Sequence, residues 1–441
     1  MKTDYFRPKY SRPLWGVVFF FCILIGFLVA TKQKPFFMPD EGAHYLKAYE
    51  VSHLHFFNTA KNSGIDIPCE EYLVAAIKHH RIAMIQDKAT DERSDPNCKV
   101  NSANTAGTYS FVPYIPSAIA LAITENLQWK VENRLKAARF SNFVVWFSII
   151  FFSLLMVQQG QQLIACVVLM PSFLWQTVAL SADGATFAFC FFYFLLILSW
   201  AQKRVEVTPQ MLGVLVAVGG LIGASKGVYA PLALVSFALW DQVKIASVVR
   251  RALMLLSPTL LALAVFISIT SVANKELIFL GHSANPAEQI NYILSHPLRV
   301  AGYVFNAFLS IDYFGLVVAG YTVTNAGRRT GIAIAFGLAI LILLLRFDFG
   351  VSQRFRQVAG LTFIALLFSI ALPLYLTYTP VGYRDGILGI QSRYYLPALP
   401  LLFAALAFNA AEVDWKKVWG KVHWIVLLPA LGLLVAVVKM S

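Results

Sequence analysis

Two adjacent carboxylates, Asp40 and Glu41, stand in the stretch FFMPDEGAHYLKAYE, residues 36–50, directly after the first long apolar run of the chain. A carboxylate held just beyond a membrane surface, on a helix tied to a span, is placed firmly enough to take a proton from a hydroxyl. The plainer reading is a helix start, because Pro39 has no N–H to leave unpaired and acids favour the first helical turn. The following AHYLKAYEVSHL has the pattern of a short amphipathic helix. On it, His44 lies one turn after Asp40 and Lys47 about two turns after, so all three share a face. Asp40 and His44 by themselves are too few ligands to argue for a metal.

Cations that could answer these acids occur far along the chain. Lys226, in GASKGVYAP, interrupts the apolar stretch 210–240, and a charge at mid-bilayer costs roughly 2.5–3.5 kcal/mol on insertion scales. Either Lys226 occupies a hairpin tip and snorkels to headgroups, or it serves a ligand. Gly219, Gly220, Gly223, Ala224 and Gly227 around it permit close approach of a ligand or of another helix. Arg384, Asp385 and Arg393 share one later turn with Tyr378, Tyr383, Tyr394 and Tyr395. Such residues ordinarily form an interfacial belt. Arg393, however, opens the run YYLPALPLLF, where a guanidinium can grip a phosphate through two parallel hydrogen bonds. Asp183, in LSADGA, either caps the next helix or faces the same cavity.

The elements that must hold these residues are membrane helices. The chain is 58% hydrophobic and 13% charged, too apolar for a soluble domain of this length. Its apolar runs have the length of helical spans rather than the weak alternation of a β-barrel. The expected fold is therefore all-α and integral to the membrane, one polytopic unit over 1–441. Runs near 14–30, 141–157, 161–179, 185–200, 210–224, 228–240, 252–272, 331–345, 357–376, 396–410 and 423–439 make about eleven spans. The basic N-terminus and Leu14 to Ala30 have the charge order of a secretory signal, but the run is long for one and reads as a retained span.

Short cytoplasmic loops carry the excess of Lys and Arg. With the N-terminus inside, the clusters Lys203/Arg204, Lys244/Arg250/Arg251, Arg346/Arg354/Arg356 and Lys416/Lys417/Lys421 all fall on one side. That parity holds only if Phe111 to Ile123, which contains Pro113 and Pro116, is re-entrant or interfacial rather than a crossing. The outer face then has a first loop over 31–140, carrying juxtamembrane helices, and a second over 273–330. Lys130, Arg134, Lys136 and Arg139, and later Arg328 and Arg329, are misplaced by this rule. Cys69 and Cys98 share the first outer loop, where an oxidising compartment could join them, while Cys22, Cys166 and Cys190 lie in spans.

Net charge is +13, but no basic stretch is dense enough for a nucleic-acid track, so nucleic acid is not expected as a partner. There is no P-loop, dinucleotide fingerprint, HExxH or DxD pair, which argues against a nucleotide-sugar donor.

Taken in order, PDEGAH after the first span, TYSFVPYIPSAIA, LMPSFLWQTVALSADGA, SKGVYAPL and QSRYYLPALPLL resemble a family of bacterial multi-span proteins with P-D-E-x-x-H, Y-x-P, S-x-D, K-x-x-Y and R-Y-x-x-P signatures. That family is similar to the GT-C glycosyltransferases, and in size and charge the chain also resembles the serotype-converting glycosyltransferases that decorate O antigen in Gram-negative bacteria. The resemblance runs from about residue 14 to about 410. The pattern departs from it at Gly42-Ala43, which bears on how the helix begins.

The resemblance implies a polyprenyl-phosphate (undecaprenyl-phosphate) donor of a sugar such as glucose. It implies an acceptor in the cell envelope, O antigen or another lipid-linked or lipopolysaccharide glycan, on the periplasmic side of the inner membrane. It maps the catalytic base onto Asp40 or Glu41 and leaves divalent metal open, with no other cofactor called for. Lys226, Arg393 and Arg384 are then expected at the donor phosphate, with His44, Asp183 and Tyr394 in the substrate cavity, and Trp175 or Tyr394 able to stack on a sugar. The strongest rival class is a transporter or flippase of lipid-linked sugars, which also needs cations for phosphate and a cavity at membrane depth. An acyl or phospholipid-headgroup transferase and a purely structural subunit are the remaining alternatives.

Overall fold

The computed structural model describes residues 12–33, 38, 40–69, 99–277, 283–317, 337, 340, 349–383 and 385–406. Arg384, Cys98, Arg328, Arg329, the run expected at 423–439 and all of that at 331–345 except 337 and 340 lie outside the described residues.

Helix α1 (Arg12–Lys32) leaves its span and is followed by α2 (Glu41–Ser52). The short strands β1 (Asp66–Pro68) and β2 (Lys99–Asn101) pair antiparallel, with Pro68 opposite Lys99. Cys69 is disulfide-bonded; it directly follows Pro68, as Cys98 directly precedes Lys99. Next come α3 (Ile115–Asn126), α4 (Val131–Leu154), α5 (Gln161–Val168), α6 (Pro171–Val178), α7 (Asp183–Lys203) and α8 (Pro209–Ser225). A 3-10 segment, Gly227–Gln242, leads to α9 (Val248–Val272). The chain continues through α10 (Pro286–Ser295), α11 (Pro297–Leu309), α12 (Tyr313–Val317) and α13 (Gln353–Thr377). A short 3-10 turn, Ser392–Ala398, then opens α14 (Leu399–Leu406).

This is a helical membrane protein. Among the described residues five helices are long and apolar enough to cross a membrane (α1, α4, α7, α9 and α13), or six if the pair α5 and α6, bent by 59°, is one broken span. The runs at 210–224 and 228–240 fall outside that count. Helix α8 has 17 residues, about 26 Å at 1.5 Å per residue. The run at 228–240 lies in a 3-10 rod of 16 residues containing Pro231, which at about 2.0 Å per residue reaches roughly 32 Å. The expected interfacial stretch is α3, whose 12 residues extend only about 18 Å, short of a 30 Å hydrocarbon core.

Helix α7 is the axis of the bundle, with 83% of its apolar window buried, against 22% for α9, whose outward residues are bare and apolar. Around α7 pack α4, α8 and the 3-10 rod. Helix α1 meets α4 through Phe19 on Phe147 and Phe151, and the ring of Phe143 fills the space that a Cβ at Gly26 would take. The small residues flanking Lys226 serve helix–helix contact: a Cβ on Gly219 would lie 2.5 Å from the Pro258 carbonyl oxygen, and one on Gly223 would lie 2.1 Å from that of Ala262. Helices α8 and α9 therefore touch backbone to backbone, the approach that a Gly-xxx-Gly spacing allows.

A second, smaller core joins α2 to α3 and the start of α4 through Tyr45, Tyr49, Tyr114, Leu121 and Leu135. The expected face of Asp40, His44 and Lys47 is split here. Lys47 turns into this module, fully buried, where its Nζ meets Glu50 Oε2 at 3.3 Å and donates to the Phe56 carbonyl at 3.1 Å. Glu50 Oε1 in turn accepts from Ser102 at 2.7 Å, binding α2 to the hairpin. Burial lowers the affinity of the Lys47 amine for its proton, opposed by Glu50.

The cations separate by end. Lys203, Arg251 and Arg354 reach Met156, Trp240 and Asp241 at one end of the bundle. The acids of the sequence motifs collect at the other, where α1 finishes and α7 begins.

Candidate functional site

Four charged side chains form a chain across that second end. Arg393 Nη2 lies 3.3 Å from Asp40 Oδ2, Arg393 Nε lies 3.4 Å from Asp183 Oδ2, and Lys226 Nζ lies 2.5 Å from Asp183 Oδ1. Four elements deliver them: Asp40 precedes α2, Asp183 begins α7, Lys226 ends α8, and Arg393 starts the turn into α14. Asp183 is the first residue of its helix, one past the cap position, and its carboxylate goes to the two cations. The carboxylate is 3% exposed, Arg393 11%, Lys226 13% and Asp40 54%, so only Asp40 faces outward. Arg393 Nε, although near Asp183, makes no well-aligned hydrogen bond. That leaves a buried donor free to turn to another anion.

Aromatic rings border the cations. Lys226 Nζ stands 5.9 Å from the centre of the Tyr109 ring and 5.5 Å from that of Tyr394, and the Arg393 guanidinium carbon lies 5.6 Å from the latter. Tyr394 is thus at the site, as expected; Tyr109 is an addition that its place in TYSFVPYIP did not announce. His44 Nδ1 pairs with the Tyr114 hydroxyl at 2.6 Å. Burial first, and Lys226 second, press the His44 imidazole down to a pKa of about 4, so it is neutral near pH 7. A neutral imidazole adds no charge beside Lys226 and Arg393.

From Lys226 a cavity of about 290 Å³ runs between the 3-10 rod, α9 and α13. Tyr109, Tyr394 and Lys226 form its polar end; Phe266, Ile269, Pro373 and Leu374 line the rest. One compartment therefore joins a cationic end to an apolar trough along the ends of α9 and α13.

Glu41 is not part of this site. Its carboxylate is fully buried and held by both sides of the Arg139 fork, Nε at 2.8 Å and Nη2 at 2.5 Å. Arg139 Nη1 also donates to the Gln33 carbonyl at 2.9 Å, and the Leu180 N–H reaches Glu41 Oε1 at 3.5 Å. Of the two acids expected as base, Asp40 alone belongs to the charge chain and is exposed. Arg139, out of place in the charge count of the outer loop, answers the buried Glu41. Asp40 itself has φ 59° and ψ 5°, a left-handed backbone with no side-chain cap, a conformation costing roughly 1–2 kcal/mol for most L-residues and less for Asp. Trp175, expected as able to stack on a sugar, is instead 1% exposed and packed in the main core.

Among the described residues no group of three or more His, Cys, Asp or Glu side chains is gathered as a metal site. No curated protein and no solved structure matches the chain. The model of one family, described as "Predicted membrane protein (DUF2142)", matches residues 21–402, a stretch that runs from within α1 to α14 and includes every member of the charge chain; the protein belongs to that family.

Proposed function

We propose that the protein is an inverting glycosyltransferase of the GT-C kind, moving a sugar from a polyprenyl-phosphate carrier to a cell-envelope glycan. The observation that carries this reading is a cavity that joins Lys226 and Tyr394 to an apolar trough, with Arg393 stacked beside Tyr394 and holding a half-exposed carboxylate. An amphiphile with one anionic group matches that division. The prenyl chain lies along Phe266, Ile269 and Leu374, and the phosphate meets Lys226, with Arg393 turning to it from beside Tyr394.

In this reading Asp40 takes the proton of an acceptor hydroxyl, whose oxygen attacks the anomeric carbon from the face opposite the phosphate. The bond from that carbon to the phosphate oxygen breaks, and its electron pair stays on the phosphate, which gains one negative charge. Lys226 and Arg393 stabilise that charge where water is largely excluded. Arg393 already bridges both acids, so turning from Asp183 to phosphate requires only a side-chain movement. The same reading places the site on the periplasmic face of a bacterial inner membrane, with about eleven crossings inferred from charge parity. A disulfide at Cys69 accords with an oxidising compartment.

The test is transfer of labelled sugar from polyprenyl-phosphate in proteoliposomes. Wild-type protein is expected to cleave the sugar–phosphate bond, and Lys226→Gln to lose about 10²–10³-fold in turnover. Movement of the intact lipid between leaflets with no cleavage would favour a flippase and overturn the enzyme reading.

A further inference from the structure

The buried pair next to Asp40 touches more of the chain than a local staple needs to. Glu41 opens α2 and Arg139 belongs to α4; the pair also holds the carbonyl of Gln33 just past α1 and the N–H of Leu180 just before α7. Four segments therefore meet at one guanidinium–carboxylate fork, and the residue directly before it is Asp40. Asp40 has a left-handed backbone without a side-chain cap, and its carbonyl accepts the first turn of α2 through the His44 N–H at 3.1 Å. A non-glycine residue stays in that region only where its surroundings over-determine it. Here the constraint comes from the next residue, whose side chain cannot turn without breaking two charge-assisted bonds.

We propose that Glu41 and Arg139 are positioning residues: their fork sets the backbone of Asp40 and so aims its carboxylate at Arg393. This rests on the reading of Asp40 as the base. Two neighbouring acids then divide the work, one anchored and one reactive, and the Arg139 fork matters for geometry and not for charge near the substrate. A mere staple differs in a measurable way. Buried ion pairs can often be replaced by apolar side chains of similar volume with stability kept, and an apolar pair fills the space without fixing the direction of Asp40.

The experiment is the double variant Glu41→Leu/Arg139→Met in the full-length protein, with Tm, KM for polyprenyl-phosphate sugar, and kcat. The expected result is a Tm near wild type, a KM within about twofold because Lys226 and Arg393 are untouched, and kcat lower by about 10–100-fold, the scale of loss from a displacement near 1 Å. A folded double variant with wild-type kcat overturns the proposal. Where the double variant does not fold, Arg139→Lys decides: it keeps the charge but not the fork, and is expected to lower kcat with KM unchanged, whereas wild-type kcat in that variant overturns the proposal. Asp40→Asn separates the two ideas, since full turnover in that variant sinks the base assignment itself, whatever the fork does.

Discussion

Asp40 and Glu41 are consecutive, carry the same chemical group, and end in opposite surroundings. Glu41 is sealed against Arg139; Asp40 is 54% exposed and shares its arginine with a second acid and, through that acid, with Lys226. The difference teaches how a helix start at a membrane boundary can be both rigid and reactive. Backbone direction is fixed by the buried pair, where desolvated charges tolerate no misalignment, while the open chain keeps charges that a ligand can rearrange.

The sharpest way to break this comparison is Asp40→Asn. Transfer is expected to fall by about 10²–10⁴-fold with Tm unchanged, measured on purified protein in proteoliposomes; a large loss of Tm would put Asp40 with Glu41 on the structural side. Next is Arg139→Ala, which strands a buried carboxylate. It is expected to destabilise the fold by about 3–5 kcal/mol, read as a drop in thermal midpoint in detergent. Retained stability there would mean that Glu41 finds water or another partner.

A smaller effect distinguishes the two regions by pH. His44 has its folded pKa lowered to about 4, below its ordinary 6.5, by burial and then by Lys226. The unfolded chain therefore binds the proton first on acidification. The stabilising contribution is complete above pH 6.5, declines as pH falls, and is lost by about pH 4, a span worth roughly 3 kcal/mol. His44→Gln is expected to flatten the stability profile across that window; an unaltered slope would move the titration to other groups. The least effect is expected from Arg354→Ala at the opposite end, where the pair with Asp241 is solvent-exposed. Stability should change by less than about 1 kcal/mol.

Several of these contrasts are legible in the residues before any coordinates. Apolar length and parity of the basic clusters placed the motif acids and Lys226 at one end, because charge partition across a membrane depends on composition more than on packing. Asp183, Lys226, Arg393 and Tyr394 converge as expected, and Asp40 sits at their edge. Glu41 and Arg139 were harder. A 98-residue separation leaves no local pattern, and the one available clue was an arginine on the wrong side of the charge rule. Lys47 went astray because helical spacing alone places it with His44, whereas the loop folding back through Phe56 and the nearby Glu50 draw it inward. The form of 227–242 was also hidden, since an apolar run says nothing about winding.

That winding has a mechanical consequence. Along the 3-10 rod the less buried residues Val228, Pro231, Leu234, Phe237 and Trp240 recur every third position, forming one straight ridge. At one end of the rod Asp241 is tethered to Arg354, and just beyond the other Lys226 is tethered to Asp183. Coiled as an ordinary α-helix the same 16 residues would be shorter by about 8 Å, too short to keep both tethers. The tighter coil thus gives the rod the length to reach from the pair at Asp183 to the pair at Asp241.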